Sequence, residues 1–137
     1  MSIFPSSKLS IFTSHGLNQT VPAGATWYAL PFNLGVINPA AGTFQESVTR
    51  SGTFRNLFFA INSAQPGTGS LVITLIVDGA GTPLVITIPA GGGIANYSNL
   101  VDQPRANPGS GFRVDILNNA AIASALISRW AVEFWAD

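Results

Sequence analysis

"SLVITLIVDGAGTPLVITI", from Ser70 to Ile88, holds two apolar runs of strand length joined by a glycine-rich turn. Side chains on a strand alternate between two faces. In the first run Leu71, Ile73, Leu75 and Val77 share one face, and Val72, Thr74 and Ile76 share the other. Thr74 carries the only polar side chain of Leu71–Val77. A sheet strand with one face in water alternates apolar with polar, so this pattern predicts a central strand covered on both faces. The second run differs. Leu84, Ile86 and Ile88 form a core face, whereas Val85 and Thr87 tolerate solvent, as on an outer-sheet strand.

The rest of the chain keeps this rhythm. Its 14 glycines and 9 prolines separate short runs rich in Val, Ile, Thr and Phe. That is the pattern of a single all-β domain, a two-sheet antiparallel sandwich or a barrel. Lys8 to Thr13 reads as a short strand with Leu9 and Ile11 on one side. Val21 to Gly24 reads as a turn in which Gly24 takes a positive φ. Trp27 to Phe32 is a strand that Pro31 confines to an edge. Asn33 to Gly42 is a loop, and Thr43 to Val48 is a short extended piece. Ser51 to Asn62 is a strong strand, with Phe54, Asn56, Phe58 and Ala60 on one face and Arg55, Leu57, Phe59 and Ile61 on the other. Ile94 to Val101 is a weaker strand, and Asp102 to Gly111 is an exposed loop. Phe112 to Leu117 alternates cleanly, with Phe112, Val114 and Ile116 inward and Arg113 and Asp115 outward. Ala120 to Ser128 has Ala and Leu content that favours helix, but its short length and its place between strands favour strand, and it is read as a strand. Ser128 to Asp137 closes the chain, with Trp130, Val132 and Phe134 on one face and Ala131, Glu133 and Trp135 on the other.

Composition narrows the function. The 137 residues carry six basic and six acidic side chains and no cysteine. With no basic run there is nothing to neutralise a phosphate backbone, so no nucleic-acid partner is expected. Only 9% of residues are charged, against about 25% in an average soluble domain. Such a surface fits either a Thr/Asn-coated β-protein or a subunit of an assembly. No apolar stretch reaches the roughly 18 residues that span a membrane, and the N-terminus lacks the pattern of a signal peptide.

Catalytic groups are scarce. His15 is the only histidine and reads as a surface residue. No Gly-x-Ser-x-Gly elbow accompanies it. Glu46, Asp78, Asp102, Asp115, Glu133 and Asp137 are dispersed, which argues no paired-carboxylate site. A calcium site would have to use loop residues Asp78 or Asp102, and no spacing supports one. No enzyme activity, metal or cofactor is expected. The glycine-rich "PGTGS" and "GAGTP" lack the Gly-Lys-Ser/Thr ending of a phosphate loop and read as turns. For sugar stacking, Trp27, Tyr28 and Tyr97 are the candidate aromatics.

A sandwich of this size has one core. The spare apolar faces at Val72, Thr74 and Ile76, and at Glu133 and Trp135 on the last strand, therefore predict a subunit interface. Burying Val72, Ile76 or Trp135 supplies roughly 1.5–3 kcal/mol each.

The strand "SGTFRNLFFAIN", the Pro-Gly turn after it, "SLVITLIVDGAGTPLVITI" and a final Trp-bearing strand together resemble small β-sandwich proteins of tailed-phage virions. Those domains look like the jelly rolls of the tumour-necrosis-factor and complement-C1q class. The resemblance covers Ser51 to Ile88 well and the last strand loosely. It implies a jelly roll that trimerises through an inner sheet made of Leu71–Val77, Phe112–Leu117 and Trp130–Trp135. Arg113 and Asp115 would then pair across the three-fold, and the runs at Ser70 and Pro83 need not form a hairpin. It further implies an N-terminal arm over residues 1–24, ahead of a jelly-roll domain over 25–137. Ile3, Phe4, Lys8, Ile11 and Phe12 of that arm would grip a major capsid protein. The role that follows is a trimeric capsid decoration, or cement, protein on the virion exterior, assembled in the host cytoplasm. The alternative is a tail-associated receptor- or carbohydrate-binding module.

Overall fold

The computed structural model describes residues 8–29 and 46–137. These residues form strands β1 (Leu9–Gln19), β2 (Thr26–Ala29), β3 (Glu46–Ser47), β4 (Gly52–Ile61), β5 (Leu71–Val77), β6 (Ala80–Ile88), β7 (Asn96–Asn99), β8 (Arg105–Ala106), β9 (Gly111–Asn118) and β10 (Ile127–Ala136), and no helix. Two antiparallel sheets pack face to face as a jelly-roll sandwich. The first has the order β1-β10-β4-β7, with β8 added to β4. The second has the order β2-β9-β5-β6, with β3 added to β9.

β5 is central, between β9 and β6, as its two apolar faces predict. Leu71, Ile73 and Leu75 are fully buried in the core. On the other face Val72 and Thr74 are half-buried, but Ile76 is only 8% exposed within the single chain. It lies in register between Arg113 of β9 and Gly81 of β6. The spare face is thus partly covered by the chain itself.

The runs on either side of Asp78-Gly79 do pair as a hairpin, from Leu71 opposite Ile88 to Val77 opposite Ala80. Asp78 and Gly79 have φ of 52° and 78°. Two left-handed residues in a two-residue loop give the turn whose twist matches the flanking strands, which is why the chain does not cross between sheets here. Pro83 sits on β6, the sheet edge, where a missing N–H is tolerated. Thr82 patches the gap: its hydroxyl donates to Leu75 O at 2.8 Å and accepts from Leu84 N–H at 3.2 Å.

Leu84, Ile86 and Ile88, Phe112, Val114 and Ile116, and Trp130, Val132 and Phe134 all point into the core. Phe112 of the second sheet meets Phe12 at 4.7 Å and Phe54 at 4.9 Å between ring centres, and Phe54 meets Phe134 at 5.0 Å. The two Phe112 contacts bolt the two sheets together, and the Phe54–Phe134 contact braces β4 against β10 within the first.

At one end of the sandwich a buried polar hub organises three loops. Asn118 Nδ2 donates to Val21 O, Pro22 O and Ile122 O at 3.0, 3.2 and 2.8 Å. Its Oδ1 accepts from Gln65 Nε2 and Ala120 N–H. Gln65 Oε1 accepts from Ala125 N–H, and Ser124 Oγ accepts from Val21 N–H. Asn118, Gln65 and Ser124 are all buried. The hub explains why Ala120 to Leu126 is not the predicted strand. Its backbone groups are satisfied by side chains rather than by a ladder, and pairing starts only at Ile127.

Several other expectations are corrected. β10 lies in the sheet opposite β5 and β9, so Trp130–Trp135 does not share their sheet. Alternation tells which way a side chain points but not which sheet its strand joins. The short strand expected within residues 1–24 is β1, an edge strand paired with β10 from Leu9 to Gln19. Within it Phe12 packs on the core and Ile11 faces outward. The stretch Ile94 to Val101 pairs only over Asn96–Asn99. β2 is an edge strand, as expected, and Gly24 has the positive φ its turn requires. Ile3 and Phe4, the loop Asn33–Gly42 and the start of the piece at Thr43 lie outside the described residues.

Candidate functional site: a groove on the outer face of the first sheet

One irregularity in β4 decides which side chains reach this face. Glu133 pairs with Arg55 and Ala131 with Phe58, so β4 carries one more residue than β10 between those rungs. The extra residue is accommodated at Asn56, whose φ is 52°. Asparagine tolerates this left-handed backbone better than most residues. The bulge reverses the alternation. Phe54 points inward together with Leu57, Phe59 and Ile61, and all four are buried. Phe58 is turned outward and is 41% exposed. Unbroken alternation, as read from the sequence, keeps Phe58 on the side of Phe54; the bulge corrects that reading.

Two cross-strand rows then build a depression. The first runs Thr13, Ala131, Phe58, Ser98 across β1, β10, β4 and β7. The second runs from the backbone of His15 through Arg129 and Ala60 to Asn96. Ala131 and Ala60 are short and form the floor. Phe58, Arg129, Asn96 and Thr13 stand around it and line an open groove of about 350 Å³. A second depression of about 320 Å³ shares Ala60, Asn96 and Arg129 with the first and continues to Asn62, Ser128 and Ile94. The two adjoin as one elongated cleft that continues along β4 and β10. Thr13 Oγ1 is engaged with Trp130 O at 3.0 Å. Arg129 and Asn96 make no side-chain hydrogen bond among the described residues.

Further along the same face Glu133 Oε2 accepts from Asn56 Nδ2 at 2.7 Å and from Trp135 Nε1 at 2.9 Å. The Arg55 guanidinium lies 5.3 Å from the centre of the Trp135 ring. This cluster pins the bulge to β10.

The residues predicted as one interface fall on opposite sides of the molecule. Glu133 and Trp135 are on the outer face of the first sheet. Val72, Thr74, Ile76, Arg113 and Asp115 are on the outer face of the second. Arg113 Nε donates to Asp115 Oδ1 at 2.7 Å within β9, and the Arg113 guanidinium lies 5.1 Å from the centre of the Tyr28 ring. The two charged side chains, 13% and 20% exposed, thus have partners inside the single chain. Lys8 is exposed at the start of β1 and lines a separate depression with Arg50.

The aromatics singled out for sugar stacking are used by the fold. Trp27 packs against the core, Tyr28 lies under Arg113, and the Tyr97 hydroxyl donates to Gly93 O at 2.8 Å. The aromatic that faces solvent over a groove is Phe58, which sequence reasoning missed. Its signal was Asn56, a turn-forming residue in the middle of an apolar strand.

Asp78 and Asp102 have structural work. Asp78 accepts from Ser110 Oγ and Gly111 N–H and ties the β5–β6 turn to β9. Asp102 accepts from Asn99 Nδ2. No group of three or more metal-ligating side chains occurs among the described residues. A hydrogen bond from Arg105 holds the exposed Asp137 carboxyl below its usual range, and the same bond raises Arg105. Neither lines the groove.

No protein-family model matches the chain, and no curated protein matches it in sequence. Among solved structures, the chain is similar to a ruminal GH26 endo-β-1,4-mannanase, at 13% identity and a TM-score of 0.47, over 86% of this chain and 20% of that one. It is also similar to the CBM35 of Cellvibrio japonicus Abf62, at 16% identity and a TM-score of 0.41, over 66% of each chain. A third is the CBM36-1 domain of a multidomain xylanase from the hindgut metagenome of Trinervitermes trinervoides, at 11% identity and a TM-score of 0.43, over 90% of this chain and 95% of that one. The chain spans only a fifth of the mannanase it resembles.

Proposed function

We propose that the chain is a non-catalytic glycan-binding module that takes its ligand in the cleft on the outer face of the first sheet. The observation that supports this reading is the outward Phe58 beside a floor of Ala60 and Ala131, with Arg129 and Asn96 unengaged on the rim. An exposed ring face offers apolar contact to the C–H side of a sugar ring, and a few placed polar groups fix its orientation. The open, elongated shape suits a chain of sugars better than a single enclosed one. Among the described residues, no carboxylate lines the cleft to act as acid or nucleophile.

The test is isothermal titration of the full chain with mannohexaose, xylohexaose and hexagalacturonate. At least one should bind. Phe58→Ala should weaken that binding about tenfold, roughly the worth of one aromatic contact. Its melting temperature should stay near that of the parent, because the side chain is largely outside the core. Failure of all three sugars to bind, or an unchanged affinity in Phe58→Ala, sinks the reading.

A second reading keeps the resemblance to phage virion sandwiches, as a trimer that decorates a capsid lattice. The half-buried strip of Val72, Thr74, Leu117 and Val85 on the outer face of the second sheet favours it. Light scattering separates the two: the second reading requires three chains per particle, and a lone chain at micromolar concentration removes it.

A further inference from the structure

We infer that the ligand of this cleft carries a carboxylate, and that Arg129 is the residue that recognises it. The inference rests on the glycan-binding reading above and names its ligand class. Among the described residues, Arg129 is the only charged side chain lining either half of the cleft. It is exposed and makes no ion pair or side-chain hydrogen bond among the described residues.

The other arginines of the two sheets are spoken for. Arg55 lies against Trp135 and donates to Thr53 Oγ1, Arg105 pairs with Asp137, and Arg113 pairs with Asp115. The acid nearest along the same strand face is Glu133, four residues from Arg129 on β10. Their Cα atoms are about 13 Å apart at strand spacing. That exceeds the screening length of about 8 Å at physiological salt. Glu133 is also already occupied by Asn56 and Trp135. The positive charge of Arg129 is therefore uncompensated where a ligand would lie.

A planar guanidinium matches a carboxylate with two parallel N–H···O bonds. Phe58 on one side and Asn96 across Ala60 then address the ring and its hydroxyls. A neutral sugar uses the same wall and floor but leaves Arg129 unanswered. Sulfated sugars share the negative charge but not the planar two-oxygen edge.

The experiment titrates the full chain with hexagalacturonate, mannohexaose and a dextran sulfate oligosaccharide, at low and at physiological salt. Hexagalacturonate should bind about ten- to a hundredfold more tightly than mannohexaose, the worth of a charge-assisted bond. Arg129→Gln should remove that preference, so that the variant binds hexagalacturonate and mannohexaose within about twofold of each other. Arg129→Lys should restore only part of it, since lysine lacks the fork. Equal binding of the neutral and acidic sugars, or a preference that survives Arg129→Gln, overturns the inference and leaves the glycan reading standing. Dextran sulfate binding as tightly as hexagalacturonate overturns it too, because simple charge attraction would then suffice. If no sugar binds the parent protein, the glycan reading fails and this inference fails with it.

Discussion

Replacing Asn118 by alanine should destabilise the domain by about 3–5 kcal/mol, a large part of the roughly 5–15 kcal/mol that holds such a domain folded. The melting temperature should fall by about 10–20 °C. Asn118 is fully buried, and its amide serves five partners in three loops. Truncation strands the carbonyl of Ile122 and the N–H of Ala120, and leaves the carbonyls of Val21 and Pro22 with only their backbone donors, Ser124 N–H and Ala25 N–H. Leaving such groups unmade costs more than the bonds contribute on average. Asn118→Asp should be no better than alanine. It keeps the outer shape but turns a carboxylate oxygen toward the carbonyls that Nδ2 now satisfies. Asn119→Ala is the control, since Asn119 Nδ2 makes one exposed bond to Ser70 Oγ. Its effect should stay within about 0.5 kcal/mol. Thermal unfolding of the three variants beside the parent checks all of this. An Asn118→Ala protein that melts within about 3 °C of the parent would show that the loops do not depend on the hub.

Phe112→Ala at the other end of β9 should cost about 3–5 kcal/mol, as deletion of a buried aromatic commonly does. Phe112 is 1% exposed and is the ring by which the second sheet touches Phe12 of β1 and Phe54 of β4. Its loss opens a cavity between the sheets and removes two edge or tilted ring contacts at once. Phe112→Leu keeps most of the volume and should cost about 1.5 kcal/mol or less. Urea unfolding separates the cases. A shifted midpoint with unchanged slope marks lost packing, and a changed slope marks a loosened native state. If alanine and leucine proved equally mild, the inter-sheet rings would not be the bolt described here.

Much of the fold was legible because burial on one face writes itself into alternate residues. Phe112, Val114 and Ile116, and Trp130, Val132 and Phe134, read inward and are buried. The central position of β5 followed from its two apolar faces. What stayed hidden was what alternation does not encode. It does not say which sheet a strand joins, so β10 was assigned beside β5 and β9. It does not register an inserted residue, so the bulge at Asn56 and the outward turn of Phe58 were missed. It says little of segments held by side-chain hydrogen bonds, and so Ala120 to Leu126 was read as a strand when Asn118 and Gln65 hold it as a loop. The hairpin at Asp78-Gly79 was legible from its turn residues, and the family resemblance left it open. The groove was illegible for the same reason as the bulge. Arg129, Ala60, Asn96 and Phe58 are far apart in the chain, and only the registers of β1, β10, β4 and β7 bring them together.

The outer face of the first sheet is best tested by following backbone amide signals of the labelled protein during titration with hexagalacturonate. Saturable shifts should concentrate at Phe58, Ala60, Asn96, Arg129 and Ala131, and Arg113, Asp115 and Val72 on the opposite face should stay still. Shifts confined to that opposite face would contradict the assignment of this groove as the binding site, and no saturable shifts at all would contradict the acidic ligand inferred for it.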